Sequence, residues 1–372
     1  MNSIMNKLFQ IPRKESNTQQ LKENGICGLQ NMGNTCYINS VIQCIRYDAY
    51  LFEYYKDEYH KRHLNKTSEI DVAFTNAWRQ LLLDFWNNQK LVIQPVGFFG
   101  IFQKMCHYKK KAELIGFNHN DAEEFLQFFL ESLHDGIKVK IPADKITIKG
   151  DVQTTQDKLI RDFCEFYKTH FERNGVSPIM RQYEGVYCSS ITNSVDDRTS
   201  NRFEPYVYVN LQIDGLNENE SIIKALESFT EPEELSGYRD EDHPYPEDTK
   251  FHKQVRFMKL PHNLIFVLKR FKFNMQTMKP YKIRTAVQFP TTLDMSPFYI
   301  GYNAPQEYEL YSISNHKGDL NHGHYYSFVK NFDNNWILYN DQNFKEVASD
   351  TMDRKNLFSN DAYILFYRRK LL

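Results

Sequence analysis

Residues 28–40, with the sequence GLQNMGNTCYINS, place a single cysteine at the start of a helix. Asn34 and Thr35 are of the types that cap helix N-termini. The apolar residues that follow fall on one helical stripe, at Ile38, Val41, Ile42 and Ile45. A thiol in the first turn of a helix feels the positive end of the helix dipole, which favours the thiolate that attacks carbonyl carbon. Cys36 is therefore a candidate nucleophile, and a buried structural cysteine is the alternative.

The composition is typical of a folded protein in a reducing compartment. The chain has 372 residues, of which 41% are hydrophobic, so a sizeable core is expected. Its six cysteines form no CxxC pair and are irregularly spaced, which argues against a disulfide framework. No signal peptide and no membrane-spanning apolar run is evident. We expect a cytoplasmic or nuclear protein that does not associate with membranes.

The charge balance gives no reason to expect a nucleic acid as a partner, since the formal net charge is −1. Residues 1–24 are polar and are expected to form a flexible tail, with a short docking element suggested by residues 8–12. The first half of the remaining chain, up to residue 134, reads as helical, and the second half alternates as strands do. Helices first and an antiparallel sheet later predict an α+β fold.

Individual elements can be predicted from their periodicity. Residues 74–87 form an amphipathic helix, and a second helix is expected to begin near Asn120, which makes a capping-box pattern with Glu123. The segment 136–158 reads as a surface connection, and residues 235–249, acidic and rich in proline, as a loop. Strands are predicted at residues 206–213, 264–268, 308–314, 325–329, 336–339 and 363–367.

The candidate general base comes from residues 316–326, HKGDLNHGHYY, which contain three of the twelve histidines. His324 follows a glycine and enters an aromatic strand. A strand holds an imidazole rigidly enough for proton transfer over about 3 Å. The residues alone leave two alternatives open: that His316, His322 and His324 are polar turn residues, or that they form a metal cluster.

Residues 28–40 resemble, almost letter for letter, the cysteine box of the ubiquitin-specific proteases, which are papain-like deubiquitinating enzymes. The resemblance implies that Cys36 is the nucleophile. It also implies that Asn31, five residues upstream, helps to bind the oxyanion. The histidine segment is similar to the histidine box of the same family, in which a Gly-His-Tyr triplet carries the catalytic base. That assigns the base to His324, and it assigns His316 and Gly323 to a loop that helps to cover the ubiquitin tail.

Residues 336–341, WILYND, are similar to the family's closing element, in which Asp or Asn orients the histidine. The resemblance assigns this role to Asn340, whose amide oxygen can accept the imidazole N–H and fix its tautomer. An asparagine cannot stabilise imidazolium by charge, and the neighbouring Asp341 is a candidate for that support. The division of labour between the two residues stays open.

Residues 117–126, FNHNDAEEFL, resemble the family segment Gln-Gln-Asp-Ala-His/Gln-Glu-Phe. Asp121, Glu124 and Phe125 are retained, whereas His119 and Asn120 replace the two glutamines. The resemblance implies that these residues bind the substrate, with the carboxylates of Asp121 and Glu124 gripping the basic tail of ubiquitin. The alternative is that the two are ordinary first-turn helix carboxylates.

Further similar segments lie at residues 268–271, 282–290 and 361–367. The resemblance implies a papain-like fold with a helical thumb, a β-rich palm and extended β-fingers. We expect a catalytic domain over residues 25–369, with the thumb at about 26–135, the fingers at about 160–260 and the palm in the remainder.

Many members of the family carry zinc at the finger tips, bound by two CxxC pairs. The resemblance puts Asn193, Asp196, Asp242 and Tyr245 at the four ligand positions. A tetrahedral structural zinc needs four good ligands, mostly Cys or His. We therefore expect no zinc, no other metal and no cofactor.

The sequence thus predicts a cysteine isopeptidase that cleaves after the C-terminal glycine of ubiquitin through a thioester. Its expected partners are ubiquitin or ubiquitinated proteins, and the resemblance leaves room for an activating partner protein that orders the loop at residues 316–323. One alternative is a protease for a ubiquitin-like modifier. Another is a catalytically silent ubiquitin-binding scaffold, and a general peptide-cleaving papain-like protease is disfavoured by the tail-binding segment.

Overall fold

The computed structural model describes residues 25–87, 91–196, 198–214, 220–239, 245–302, 306–319 and 322–370. The tail expected at residues 1–24, with its suggested docking element, lies outside these ranges.

The helices of the described chain, in order, are α1 (Cys36–Ile45), α2 (Ala49–Lys56), α3 (Glu69–Asn87), α4 (Val96–Tyr108), α5 (Ala122–Ile137), α6 (Thr155–Asn174), α7 (Pro178–Tyr183), α8 (Ile222–Thr230) and α9 (Ser349–Met352).

The strands are β1 (Gly28–Leu29), β2 (Val92–Ile93), β3 (Gly185–Asn193), β4 (Thr199–Tyr206), β5 (Val209–Gln212), β6 (Glu220–Ser221), β7 (Glu233–Glu234), β8 (Phe251–Lys259), β9 (Asn263–Lys269), β10 (Phe271–Asn274), β11 (Lys279–Lys282), β12 (Val287–Pro290), β13 (Thr292–Asp294), β14 (Glu307–Gly318), β15 (Gly323–Lys330), β16 (Trp336–Asn340), β17 (Asn343–Val347), β18 (Asn356–Ser359) and β19 (Ala362–Arg369).

The largest sheet carries the residues predicted for catalysis in the second half of the chain. Its strand order is β17-β16-β15-β14-β19-β9-β5, with β13 pairing with β14 at one side. Neighbouring strands are antiparallel, apart from β5, which runs parallel to β9. In an antiparallel pair the start of one strand lies beside the end of the next. The start of β15, with His324, therefore comes beside the end of β16, with Asn340.

A second sheet, in the order β4-β3-β8-β7, extends the strand-rich half of the molecule. Smaller sheets are formed by the parallel pair β1-β2, the hairpin β10-β11 and the trio β18-β12-β6. The β1-β2 pair lies next to the hairpin of β16 and β17, since the backbone N–H of Leu29 donates to the carbonyl of Asp341 at 2.9 Å. This contact fixes the approach to α1 against the end of the large sheet.

All ten residues of helix α1 are buried. Its apolar side chains join a core that combines the helical half with one face of the large sheet. Its polar residue Ser40 contacts the large sheet through its hydroxyl, which lies 2.7 Å from that of Ser314. A nucleophile on this helix is held rigidly by packing on all sides.

The predicted α+β class is confirmed, with helices concentrated before residue 184 and the large sheet formed mainly by later strands. The predicted strands at 264–268, 308–314, 325–329, 336–339 and 363–367 all lie within strands of this sheet. The helix predicted at 74–87 is confirmed within α3. No helix of the described ranges is long and apolar enough to cross a lipid bilayer.

Three expectations about local structure were wrong. The strand predicted at 206–213 is divided between β4, which ends at Tyr206, and β5, which begins at Val209. Helix α5 is capped by Asp121, whose carboxylate accepts from the N–H of Glu123 at 2.8 Å, and not by Asn120. The connection expected at 136–158 ends in α6, a helix that starts at a capping box of Thr154 and Asp157.

Candidate active site

Cys36 is the first residue of α1 and is only 3% exposed. Gly33 and Asn34 have positive φ angles of 110° and 52°, so the backbone turns sharply just before the helix. Thr35 occupies the N-cap position, as predicted, but its side chain makes no capping bond. Its hydroxyl accepts instead from the N–H of Met32 at 2.9 Å. The first N–H groups of the helix are thus left free of a capping side chain, where they can serve a developing anion.

His324 lies on β15, and its Nε2 lies 2.6 Å from the Oδ1 atom of Asn340. Hydrogen bonding to Cys36 is the largest influence on the pKa of His324. An amide oxygen only accepts, so Nε2 carries a proton and Nδ1 is left for the sulfur. The bond to Cys36 raises the pKa of His324 to about 9, and the bond to Asn340 acts in the same direction. A pKa of about 9 favours the imidazolium form of His324 at neutral pH.

Asp341 does not share the hydrogen bond between Asn340 and His324. It is the first residue of the two-residue loop between β16 and β17, with a left-handed φ of 50°. Its carboxylate accepts from Asn31 at 2.9 Å and from Asn39 at 2.8 Å. The charge of Asp341 is nonetheless among the influences that raise the pKa of His324, after the bond to Cys36. Asn340 thus contacts the imidazole, whereas Asp341 acts on it only through space.

The side chain of Asn31 is fixed at both ends. Its Oδ1 accepts from the N–H groups of Gly33 at 2.9 Å and Thr35 at 3.1 Å, and its Nδ2 donates to Asp341. An amide nitrogen carries two hydrogens, so one N–H is left for a further acceptor. Asn31 lies in the turn that precedes Cys36, where an oxyanion donor is needed.

A cavity of about 270 Å³ opens beside the triad. Four of the predicted substrate-binding residues line it, namely Asp121, Glu124, His316 and Gly323. The other lining residues are His119, Asn120, Phe271 and Tyr325. The amide of Asn120 donates to the hydroxyl of Tyr37 at 3.3 Å, which ties the cavity wall to the residue after Cys36. The sequence-predicted residues are therefore brought together, with one exception.

The exception is Phe125, which does not line the cavity. It is fully buried in α5 and packs edge-on against Tyr37, with ring centroids 5.9 Å apart. It also packs against Phe102 and Phe129, each at 5.5 Å. Its expected contact with a bound chain is not supported by this burial, and its role in the described structure is to hold α5 against the nucleophile helix.

Asp121 combines a structural bond with a position in the cavity wall. Besides capping α5, its carboxylate accepts from the hydroxyl of Tyr363 at 2.8 Å. Burial raises the pKa of Asp121 to about 6, against the lowering effect of these hydrogen bonds. Asp121 is therefore a helix-capping carboxylate, and in the same geometry it also lies where a substrate-binding carboxylate is expected.

Glu124 faces the cavity more openly than its neighbour Glu123. Burial raises the pKa of Glu124, and the charge of Glu113 adds to this. Glu123 is turned the other way and forms an ion pair with Lys269 at 3.0 Å. In the first turn of α5, Glu124 thus faces the cavity, whereas Glu123 binds the large sheet.

His316 and Gly323 lie near the end of the hairpin of β14 and β15, where His316 pairs with Tyr325 and Gly323 pairs with Gly318. The His316 ring is 3% exposed and packs against Phe271 and Tyr325, at centroid distances of 5.3 and 4.6 Å. Burial lowers the pKa of His316 to about 4, so the ring is neutral. A Cβ atom at Gly323 would lie 1.8 Å from the Nε2 of His316. Only glycine fits here, because any side chain at position 323 would clash with the buried His316 ring.

Two further residues support the site and were not identified from the sequence. Asn39 binds Asp341, as described above. Arg270, in the segment noted for its resemblance, is fully buried and donates to four carbonyl groups, those of Ala362, Ile283, Thr285 and Ser359. These bonds tie the segment before β12 to the end of β18 and the start of β19. The motif at residues 268–271 could have drawn attention to Arg270, whereas no feature of the neighbouring sequence indicates a role for Asn39.

The three finger-tip positions that the structure describes do not fit a metal. Asn193 Oδ1 accepts from the N–H of Asp196 at 3.0 Å, its Nδ2 donates to the Asp196 carboxylate at 2.7 Å, and the Tyr245 hydroxyl lies 3.4 Å from that carboxylate. These side chains satisfy one another by hydrogen bonds. Asp242 lies outside the described residues. Within the described ranges, no group of three or more His, Cys, Asp or Glu side chains is arranged to hold a metal ion.

Comparison with known sequences identifies a family. The family model described as ubiquitin carboxyl-terminal hydrolase matches residues 27–367. The chain is 28% identical to the ubiquitin carboxyl-terminal hydrolase Usp2 of Drosophila melanogaster over 362 residues, which cover 95% of this chain and 36% of that protein. It is 29% identical to the probable ubiquitin carboxyl-terminal hydrolase 4 of Schizosaccharomyces pombe over 378 residues, or 97% of this chain and 61% of that protein. The chain thus spans between about a third and three fifths of these relatives.

Comparison with solved structures supports the fold. A chain of the SAGA DUB module of Ubp8, Sgf11, Sus1 and Sgf73 bound to monoubiquitin superposes with a TM-score of 0.70 at 24% identity, over 95% of this chain and 71% of that chain. The same module bound to ubiquitin aldehyde gives a TM-score of 0.69 at 24% identity, with the same two coverages.

Proposed function

The chain belongs to the ubiquitin carboxyl-terminal hydrolase family, and on that premise we propose that it is a cysteine-dependent deubiquitinase. The reaction is hydrolysis of the isopeptide or peptide bond after the C-terminal glycine of ubiquitin. The single observation that carries this proposal is the meeting of Cys36, His324 and Asn340, from three separate elements, beside a carboxylate-lined cavity.

In the first half of the reaction, His324 holds the proton of Cys36 while the sulfur attacks the substrate carbonyl carbon. The carbonyl oxygen becomes an oxyanion, which accepts from the remaining N–H of Asn31 and from the first N–H groups of α1. The tetrahedral intermediate then collapses. Its C–N bond breaks, the His324 imidazolium gives its proton to the leaving amine, and a thioester to Cys36 remains.

In the second half, neutral His324 takes a proton from a water molecule as the water attacks the thioester carbonyl. The same donors bind the second oxyanion. The C–S bond breaks, Cys36 leaves as thiolate, and the carboxylic acid product is released. Asn340 keeps the imidazole in one orientation throughout both halves, because its oxygen accepts the Nε2 proton.

The cavity suits the tail of ubiquitin, which is basic and ends in two glycines. Glu124 and Asp121 provide negative charge at its wall. Gly323 lies so close to His316 that the cavity has no room for a side chain at position 323. We assign the helical elements up to α5 to the thumb, the β3, β4, β7 and β8 sheet to the fingers, and the large sheet to the palm.

The reaction requires a free thiol, and all six cysteines of the chain are free. A reducing compartment, the cytoplasm or the nucleus, is therefore the setting that we propose for it. Ubiquitin and ubiquitinated proteins are the partners that this reaction implies.

The experiment that tests the proposal is reaction of the full chain with ubiquitin that carries an electrophile at its C-terminus. The wild-type chain should gain the mass of one ubiquitin, and Cys36→Ala should gain none. Cys44→Ala is the matched control, because Cys44 is another buried cysteine of α1 whose pKa is raised by burial. It should react as the wild type does.

The remaining candidates are separate outcomes of the same experiment. An adduct only with probes built on other modifiers would identify a protease for a ubiquitin-like modifier. Binding of ubiquitin without any adduct would identify a silent scaffold. Either outcome would overturn the proposal.

A further inference from the structure

The carboxylate of Asp341 is held between two asparagine amides that come from the two sides of the nucleophile. Asn31 Nδ2, from the turn before α1, donates to its Oδ2 at 2.9 Å, and Asn39 Nδ2, from within α1, donates to its Oδ1 at 2.8 Å. Each oxygen therefore has its own donor. Hydrogen bonds to an ionised carboxylate are shorter and stronger than those between neutral groups, so this three-residue arrangement is well defined.

The direction of both amides follows from their other contacts. The Nδ2 of Asn39 also faces the carbonyl oxygens of Leu29 and Gln30, each at 3.4 Å, and all three of its neighbours are acceptors. The Oδ1 of Asn31 faces two backbone N–H groups, so its nitrogen must face Asp341. Both asparagines donate to the carboxylate for this reason, and the alternative amide orientations would place acceptors against acceptors.

Asn39 is the most rigidly placed of the three residues. It is 3% exposed and stands on the buried helix α1, three residues after Cys36. Asp341, in contrast, stands in a two-residue loop with a left-handed backbone, and Asn31 stands in a turn. A donor on a packed helix can set the orientation of a carboxylate on a loop, and the carboxylate can then set the amide beyond it.

We propose that Asn39 is a positioning residue for the reaction, which acts through Asp341 to aim the free N–H of Asn31 at the oxyanion. This inference rests on the proposed function. Asn39 itself touches neither the sulfur nor the imidazole in the described contacts. Its removal releases one oxygen of Asp341, which lets the carboxylate turn and frees Asn31 to rotate away from the oxyanion.

The first test compares Asn39→Ala with Asn263→Ala. Asn263 is a matched control, because it is also buried and its Nδ2 donates to a carboxylate, that of Asp48, at 2.7 Å, outside the cleft. Both variants lose one buried amide and should lose similar thermal stability. On a ubiquitin substrate with a fluorescent leaving group, Asn39→Ala should lower kcat by about tenfold to a hundredfold with KM nearly unchanged, because oxyanion donors act on the transition state. Asn263→Ala should leave kcat unchanged. Equal kcat values for the two variants would overturn the proposal.

The second test reverses the polarity of the pair. Asn39→Asp alone places two carboxylates together and should reduce kcat below that of Asn39→Ala. Adding Asp341→Asn restores a donor–acceptor pair, since the amide at 341 can donate to the new carboxylate and still accept from Asn31. The double variant should regain part of the lost kcat. A double variant no better than Asn39→Asp would contradict the positioning role.

A third test does not depend on deubiquitination. A crystal structure of Asn39→Ala should show the Asp341 carboxylate turned away from Asn31. If the wild type is inactive on every probe, the proposed function fails, yet this structure still decides whether Asn39 orients Asp341. An unchanged Asp341–Asn31 contact in the variant would overturn the inference even in an active enzyme.

Discussion

The Nε2 atom of His324 lies 2.6 Å from the Oδ1 atom of Asn340, across the two neighbouring strands β15 and β16. The amide oxygen can only accept, so this contact selects one imidazole tautomer and directs Nδ1 towards Cys36. The contact also links two parts of the chain, the start of one strand and the end of the next, that antiparallel pairing brings together.

Removal of this acceptor should slow the chemical step. We expect Asn340→Ala to lower kcat by about a hundredfold, or ~2.7 kcal/mol of transition-state stabilisation. Asn340→Asp should retain most of the activity, since a carboxylate also accepts the Nε2 proton. The measurement is steady-state kinetics on a fluorogenic ubiquitin substrate. Asn343→Ala, in the same hairpin and paired with Asn340 in the ladder, is the control and should be nearly as active as the wild type. An Asn340→Ala variant within about threefold of the wild type would mean that His324 is oriented by other contacts.

The raised pKa of His324 predicts the alkaline limit of activity. The bond to Cys36 and then the bond to Asn340 raise this pKa to about 9, so the imidazolium persists up to that pH and its proton is lost above it. Because the leaving amine needs this proton, kcat/KM should fall above about pH 9. Asn340→Ala removes a contact that raises the pKa, so its alkaline limit should lie at lower pH.

The same shift can be measured without turnover. NMR titration of His324 should give a lower pKa in Cys36→Ala than in the wild type, because the largest influence is removed. The pKa of His324 is about 9 in the folded state and about 6.5 in the unfolded state, so protonated His324 stabilises the fold. This contribution is present in full below about pH 6.5 and is lost as the pH rises through about 9. An identical His324 titration in both proteins would refute the pairing.

Local patterns account for most of what could be predicted from the sequence. The helix that begins at Cys36 and the strands β14, β15, β16 and β19 have apolar periodicity within a few residues, and periodicity reports such elements directly. The cavity residues followed from short motifs that the fold keeps intact. Helix α6 was missed although its capping box, Thr154 with Asp157, could have been recognised.

The positioning contacts could not be predicted in this way. Asn39 and Asp341 are 302 residues apart in the chain, and their hydrogen bond depends on how α1 packs against the end of the large sheet. Phe125 shows the reverse problem, since a motif residue expected at the substrate proved to be a core residue. Sequence patterns specify which face of an element is buried, but the partner across the core depends on tertiary packing.

Arg270 should be essential for stability. Its guanidinium donates to four carbonyl groups, at distances of 2.6 to 3.1 Å, and is fully buried. Arg270→Met leaves these acceptors without a donor, and each buried unsatisfied group costs about 1–3 kcal/mol. We expect a loss of at least ~3 kcal/mol in the free energy of unfolding, measured by urea denaturation.

The control for Arg270 is Arg284→Met. Arg284 is 62% exposed and pairs with Asp319 at the surface, so its removal should cost no more than about 1 kcal/mol. Similar losses for the two variants would show that the buried contacts of Arg270 contribute little.

Chelation should leave the protein unchanged. Asn193 and Asp196 satisfy each other by hydrogen bonds and carry no thiolate, so they make a poor zinc site. The purified chain should contain substoichiometric zinc in elemental analysis, and its thermal unfolding should be the same with and without EDTA. One zinc per chain, with a fall in melting temperature on its removal, would contradict this expectation.

Gly28 should be irreplaceable because β1 passes very close to the hairpin that carries Asn340 and Asp341. A Cβ atom at Gly28 would lie 2.3 Å from the backbone carbonyl oxygen of Gln342, and a backbone atom cannot rotate away. The next residue, Leu29, is bonded to the Asp341 carbonyl. In Gly28→Ala the added methyl group should push the hairpin outward, away from His324 and Asn31. We expect kcat to fall at least about tenfold, since small misplacements of catalytic groups are costly.

Gly97→Ala is the matched control for this substitution, because no atom lies within 4 Å of a Cβ added there and the residue is in helix α4. Alanine should be neutral or stabilise that helix by about 0.5–1 kcal/mol, with no change in kcat. The two variants together separate the cost of a methyl group in general from the cost of displacing the hairpin. Full kcat in Gly28→Ala, at wild-type stability, would mean that the close approach of β1 does not position Asn340 and Asp341.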